Sequence, residues 1–148
     1  MSIQQRLDIK QLEPKAYKVL YAMEKYLSTI DLSLQLRELI KIRVSQINKC
    51  AYCIELHTKD ARKAGETERR IYALPAWEES PLFTEAERAV LELTDAITKI
   101  SEHGVSDKIF ENVQKHFNDN QVAQIIIVIN QMNSWNRIAV STKMFHAV

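Results

Sequence analysis

Ile125-Ile126-Ile127-Val128-Ile129 is the run on whose reading the fold of this chain depends. Taken alone, its β-branched residues favour a strand. In the longer segment, Ile125, Val128, Met132, Trp135 and Ala139 keep a three-to-four residue spacing over about four turns, which is the period of a helix. A helix that is apolar on most sides has to be buried on most sides. The spacing therefore predicts a central or interface helix from the polar Asn118-Asp119-Asn120 turn to about Met144.

The rest of the chain agrees with that reading. Two glycines and three prolines are too few for the turns of a many-stranded protein. Pro14 suits a first helical turn, with Tyr17, Leu20, Tyr21, Glu24 and Leu27 at helical spacing behind it, so a helix is expected over 14–29. Asp31 or Ser33 can cap a second helix carrying Leu36, Leu39, Ile40, Val44 and Ile47, which ends at Asn48. A third is expected over 49–64, closed by Gly65, and a short one from Thr67 to Leu74. Pro75, Ser80 and Pro81 break the chain, and Thr84 with Glu87 forms a capping box for a helix reaching Ile100. Ser106 caps another, to about Phe117. The fold class expected is all-α, a helical bundle of about six to seven helices. It is expected as one domain over residues 1–148, with no internal repeat and no linker, since the 75–83 loop is too short to separate two domains.

The composition, 46% hydrophobic and 26% charged, is that of a globular protein. Twenty basic and nineteen acidic residues leave a formal charge of +1, with no long block of either sign, so neither nucleic acid nor a membrane surface is an expected partner. The first ten residues are interrupted by Arg6, Asp8 and Lys10 and lack the apolar core of a secretory signal. The apolar run 125–129 is far shorter than the roughly 20 residues of a membrane-spanning helix. A cytoplasmic location follows as the expectation. In such a reducing compartment, two cysteines separated by two residues are expected to be reactive or metal-bound.

The chemistry concentrates in Cys50-Ala51-Tyr52-Cys53-Ile54-Glu55-Leu56-His57. On a helix, Cys53 lies about 60° from Cys50 and His57 about 40° from Cys53, so the three share a face. Cys53 and His57 stand one turn apart, where an imidazole can take or share the thiol proton. An unassisted thiol with pKa ~8.5 is only about 3% ionised at neutral pH, and lowering it by two units makes thiolate the majority form. Glu38 lies between Leu34 and Ile42 on its helix. If the second and third helices form a hairpin about Asn48, Glu38 and His57 come level, and the carboxylate can orient and charge the imidazole. Glu55 points the other way.

Competing readings exist for each residue. Zinc is disfavoured, because His57 is the one nearby third ligand and there is no second cysteine pair, so neither a metal nor a cofactor is expected. A buried inert cysteine pair beside a satisfied histidine is the structural alternative. Tyr52 reads as packing, Met132 and Trp135 as core or interface, and His103, His116 and His146 as surface or loop-end residues.

Glu38-Leu39-Ile40, Arg43-Val44-Ser45-Gln46 and the run from Asn48 to His57 resemble the alkylhydroperoxidase D-like core of the carboxymuconolactone decarboxylase superfamily. The segment Asn133 to Ala139 is similar to that family's closing helix. The resemblance covers about residues 20–145. It implies a helical bundle assembling as a homo-oligomer, trimer or hexamer. It also implies a redox-active Cys50–Cys53 pair that reduces hydroperoxides in an antioxidant role or exchanges disulfides with an external dithiol or protein reductant. By the resemblance, Glu38 and His57 form a proton relay, Cys53 attacks peroxide and Cys50 resolves. Position along the helix alone instead favours Cys50 as the more exposed thiol, nearer the positive helix start. Tyr52 stands where well-characterised peroxidase members carry a second histidine. A decarboxylase-like enzyme and a non-enzymatic helical interaction protein are the alternative functions.

Overall fold

The computed structural model describes residues 4–146. Helix α1 spans Ile9–Leu12, α2 Pro14–Leu27, α3 Leu34–Ile47, α4 Ala51–Lys63 and α5 Glu68–Ala73. A 3₁₀ segment, Leu74–Glu79, leads to α6, Glu85–Thr98, then α7, Ile100–His103, α8, Asp107–Gln114, and α9, Asp119–Thr142. Among the described residues there is no strand.

Local chemistry explains most of the boundaries. Ser33 Oγ accepts from the Leu36 N–H at the start of α3, and the Thr84/Glu87 capping box is formed with both of its bonds. Asn118, expected in a turn, is itself the cap of α9 and completes a second capping box with Gln121. These bonds satisfy backbone N–H groups that have no partner inside the helix.

The helix count exceeds the expected six to seven for two local reasons. Asp8 caps the single turn of α1, and Lys99 leaves helical geometry (φ −104°, ψ 34°), which detaches α7 from the end of α6. The expected break after Pro75 is a 3₁₀ segment in which Ala76 alone departs from helical angles.

The isoleucine run is helical, and Ile125, Val128 and Ile129 are each 0% exposed. Helix α9 packs on α2, α3, α4, α6 and α8, so most of its circumference is covered, with Ile126 and Ile127 half-buried against the same core. Ile40 and Val44 of α3 join that core with Val90 and Leu93 of α6. The other flank of α3 sends Leu39 and Ile42 into a second core with Leu74, Trp77, Phe83 and Leu91. Each such side chain contributes about 1.5–3 kcal/mol by leaving water. Arg43 fastens α3 to α6 through a two-pronged pair with Asp95, both bonds 2.6 Å.

A polar knot lies where α3 turns into α4. The Asn48 amide donates to Asn133 Oδ1 at 2.9 Å and to Asn136 Oδ1 at 3.0 Å, and Asn136 donates to Ser45 Oγ at 3.1 Å. Lys49 takes the left-handed conformation, φ 56°, and the Cys50 N–H returns to the Ser45 carbonyl at 2.9 Å. The chain thus reverses within three residues, with α9 holding the turn, and α4 runs back along α3. Polar groups buried this way cost free energy unless they are paired, so the knot specifies one docking of α9 against the turn.

Candidate active site

Helix α4 begins one residue after Cys50, which is its N-cap. This corrects the placement of Cys50 on the helical face shared with Cys53 and His57. The left-handed Lys49 brings Cys50 in at extended angles (φ −90°, ψ 94°), and its Sγ accepts from the Cys53 N–H at 3.4 Å. Cys50 and Cys53 are joined as a disulfide with Cα atoms 5.4 Å apart, within the span such a bond requires. A thiolate at Cys50 would lie at the positive end of α4.

Both sulfurs are buried, but not alike. Cys53 is 4% exposed and Cys50 2%, and Cys53, not Cys50, lines a cleft of ≈ 380 Å³. Position along the chain alone favoured Cys50 as the more exposed thiol. In the structure both are almost fully covered, and Cys53 is the one on the cleft lining.

His57 lines the same cleft one helical turn beyond Cys53. Its Nδ1 is 2.7 Å from Glu38 Oε2 on α3, which leaves Nε2 for groups outside that pair. Glu38 is 3% exposed and bridges onward: Lys41 Nζ is 3.2 Å from its Oε1 and 3.6 Å from Glu24 Oε2 on α2. Glu24 in turn accepts from the Trp135 indole N–H of α9 at 2.8 Å. The structure thus brings the four residues singled out from sequence together and adds three that were not singled out as site residues, Lys41, Glu24 and Trp135. Lys41 stands three residues after Glu38, a helical-neighbour spacing that offered a signal. The pairing of Glu24 with Trp135 spans most of the chain and offered none. Glu55 turns away to Lys59 and to His146, whose Nδ1 is 2.6 Å from its Oε2.

Burial pushes the Glu38 carboxyl up, but the His57 hydrogen bond and the charge of Lys41 outweigh it and hold the group below its usual value of 4.5. A depressed carboxyl stabilises the fold fully above the unfolded value and loses that contribution as pH falls through the folded one. Stability should therefore drop with acid below about pH 4.5, and Glu38→Gln should flatten that part of the profile. Urea midpoints measured for both proteins between neutral pH and pH 3 check this, and parallel acid limbs would count against it.

Glu38, His57 and Asp60 bring possible ligand atoms within 4.8 Å of one another. Two of the three are already hydrogen-bonded to each other, and Lys41 and Lys63 hold further oxygens of Glu38 and Asp60. The arrangement reads as ion pairs. The cysteine sulfurs are not part of it.

A family model described as the carboxymuconolactone decarboxylase family matches residues 14–96, a stretch that contains Glu38, Cys50, Cys53 and His57. The uncharacterized protein YdfG of Bacillus subtilis (strain 168) is 45% identical over 137 residues, 93% of each chain. A protein of unknown function from Agrobacterium tumefaciens, proposed as an antioxidant defence protein AhpD, shares the fold with a TM-score of 0.95 at 40% identity, over 98% of this chain and 99% of its own. The debrominase Bmp8, solved in complex with 2,3,4-tribromopyrrole, has a TM-score of 0.81 at 17% identity over 90% of this chain and 71% of its own, a likeness of fold alone. No helix among the described residues is long and apolar enough to cross a membrane. On the span of the matching family model and on a near-full-length relative at this identity, the chain belongs to the carboxymuconolactone decarboxylase family and has its alkylhydroperoxidase D-like helical fold.

Proposed function

We propose that this protein is a thiol-dependent peroxidase, working without a cofactor in an antioxidant role and re-reduced by an external dithiol. The observation that carries the reading is the order of groups at the cleft: Cys53 facing it, His57 beside it on the same helix, Glu38 behind the imidazole, and Cys50 within bonding reach beneath. His57 takes the Cys53 thiol proton, and the Glu38 carboxylate favours the imidazolium so formed. The thiolate attacks the terminal peroxide oxygen, the O–O bond breaks, and the leaving alkoxide takes a proton to become an alcohol. Cys53 is left as a sulfenic acid. The Cys50 thiol displaces hydroxide from that sulfur, which leaves as water once protonated, and the disulfide closes. A dithiol then reduces the disulfide and is itself oxidised.

The fold alone does not select this reaction, as a debrominase with the same architecture illustrates. The placement of the sulfurs favours it over the decarboxylation for which the family is named, because that reaction has no use for a resolving thiol. The test is consumption of tert-butyl hydroperoxide by the reduced protein with dithiothreitol as donor. One dithiol should be oxidised per peroxide consumed. No consumption above the uncatalysed rate, with both thiols still titratable after excess peroxide, would sink the proposal.

A further inference from the structure

We infer that the cleft before Cys53 is a binding site for a compact, uncharged aromatic molecule. If the thiol chemistry proposed above holds, that molecule is the organic part of its substrate. At ≈ 380 Å³ the space lies within the range of sites for small organic ligands. Three of the five tyrosines and one of the two tryptophans of the chain meet there: Tyr17 and Tyr21 from α2, Tyr52 from α4 and Trp135 from α9.

Three of these rings form a preassembled wall. Trp135 meets Tyr17 at 5.4 Å between centroids with planes at 69° and Tyr21 at 5.6 Å and 52°. The two tyrosines stand 5.8 Å apart at 61°. The indole is anchored by its bond to Glu24, so the wall presents fixed edges and faces to an incoming ring. Edge-to-face and offset contacts are selective for aromatic over saturated rings. The thioether of Met132, 2% exposed, and the Cys53 sulfur add polarizable surface that favours the same partner.

The lining carries two carboxylates, Asp8 and Glu24, against one ammonium, Lys10, so it has no excess of positive charge to draw an anion. Asp8 caps α1, Glu24 is held by Lys41 and Trp135, and Lys10 Nζ lies 6.0 Å from the Tyr21 ring centroid. Burial raises the phenol of Tyr17 above its ordinary value, with the neighbouring Tyr21, Asp8 and Tyr52 adding to the rise, so that it stays neutral. Lys10 is exposed, so its ammonium keeps its water. An ion moving in against the aromatic wall and Met132 would lose water that those side chains do not replace.

The test uses the disulfide form and three unreactive probes: 2-phenylpropan-2-ol, 2-cyclohexylpropan-2-ol and benzoate. Trp135 emission reports binding, while Trp77, packed in the other core against Leu39 and Leu74, supplies a constant background. The phenyl alcohol should bind about three- to tenfold more tightly than its cyclohexyl counterpart, although the saturated ring is the more water-averse. Benzoate should bind at least tenfold more weakly than the phenyl alcohol. Tyr21→Leu keeps apolar bulk at a residue 51% exposed, so it should fold normally and bring the phenyl-to-cyclohexyl ratio to about one. Equal or tighter binding of the cyclohexyl alcohol, benzoate binding as well as the neutral ring, an unchanged ratio in Tyr21→Leu, or emission indifferent to all three probes would each overturn the inference. Thiols cannot reduce these alcohols, so a failure here is separable from a failure of peroxide turnover.

Discussion

Cys53→Ser is expected to bring dithiol-dependent peroxide consumption down to background, a loss of roughly a thousandfold or more, because a serine hydroxyl is not appreciably ionised at neutral pH and His57 alone cannot make it a peroxide nucleophile. Cys50→Ser should fail differently. Its Cys53 still faces the cleft beside His57, so one equivalent of peroxide should be consumed per chain before the protein stalls as a sulfenic acid that dimedone traps. Steady turnover should be lost in both variants, and only Cys50→Ser should show the single-turnover burst. The reverse pattern, a burst in Cys53→Ser and none in Cys50→Ser, would exchange the two roles. Sustained turnover in both would remove the disulfide from the mechanism.

His57→Asn should lower the rate about 30-fold at neutral pH, because an unassisted thiol is only about 3% ionised there. The direction of recovery identifies the cause. Without the imidazole, the thiol must ionise near the free value of about 8.5, so the variant's rate should climb with pH and approach the parent above it. Glu38→Gln keeps an acceptor for the His57 ring but loses the charge that favours imidazolium, and a loss of about tenfold is expected. The substitution also leaves Lys41 with Glu24 as its remaining partner. Rates from pH 6 to pH 10 for the three proteins check the pair. A His57→Asn deficit that is the same at every pH would mean that the ring only supports the fold.

The elements carrying these predictions differ in how far they could be read in advance. The third helix was expected to include Cys50, since cysteine is not among the favoured N-cap residues and Asn48 reads as the end of the second helix. The signal lies in Asn133 and Asn136 of α9, whose amides hold Asn48 and thereby the left-handed Lys49. The level placement of Glu38 and His57 was legible, because a short turn between two helices leaves little freedom of register, and the two side chains are 2.7 Å apart. The aromatic wall was not. Tyr17 and Trp135 each sit at a helical core spacing that says only that they are covered.

What the amino-acid order settled by itself is therefore whatever is decided along a single helix. That includes the α character of Ile125–Ile129 against its own β preference, the capping box at Thr84, and the one-turn reach from Cys53 to His57. Those are interactions among near neighbours, and spacing encodes them. Which sulfur meets the cleft, and that Glu24 and Trp135 stand behind the relay, was decided when α9 packed against α2, α3 and α4. Contacts between residues a hundred positions apart depend on how whole helices dock, and that docking is set by the summed burial of two cores and one polar knot rather than by any local pattern.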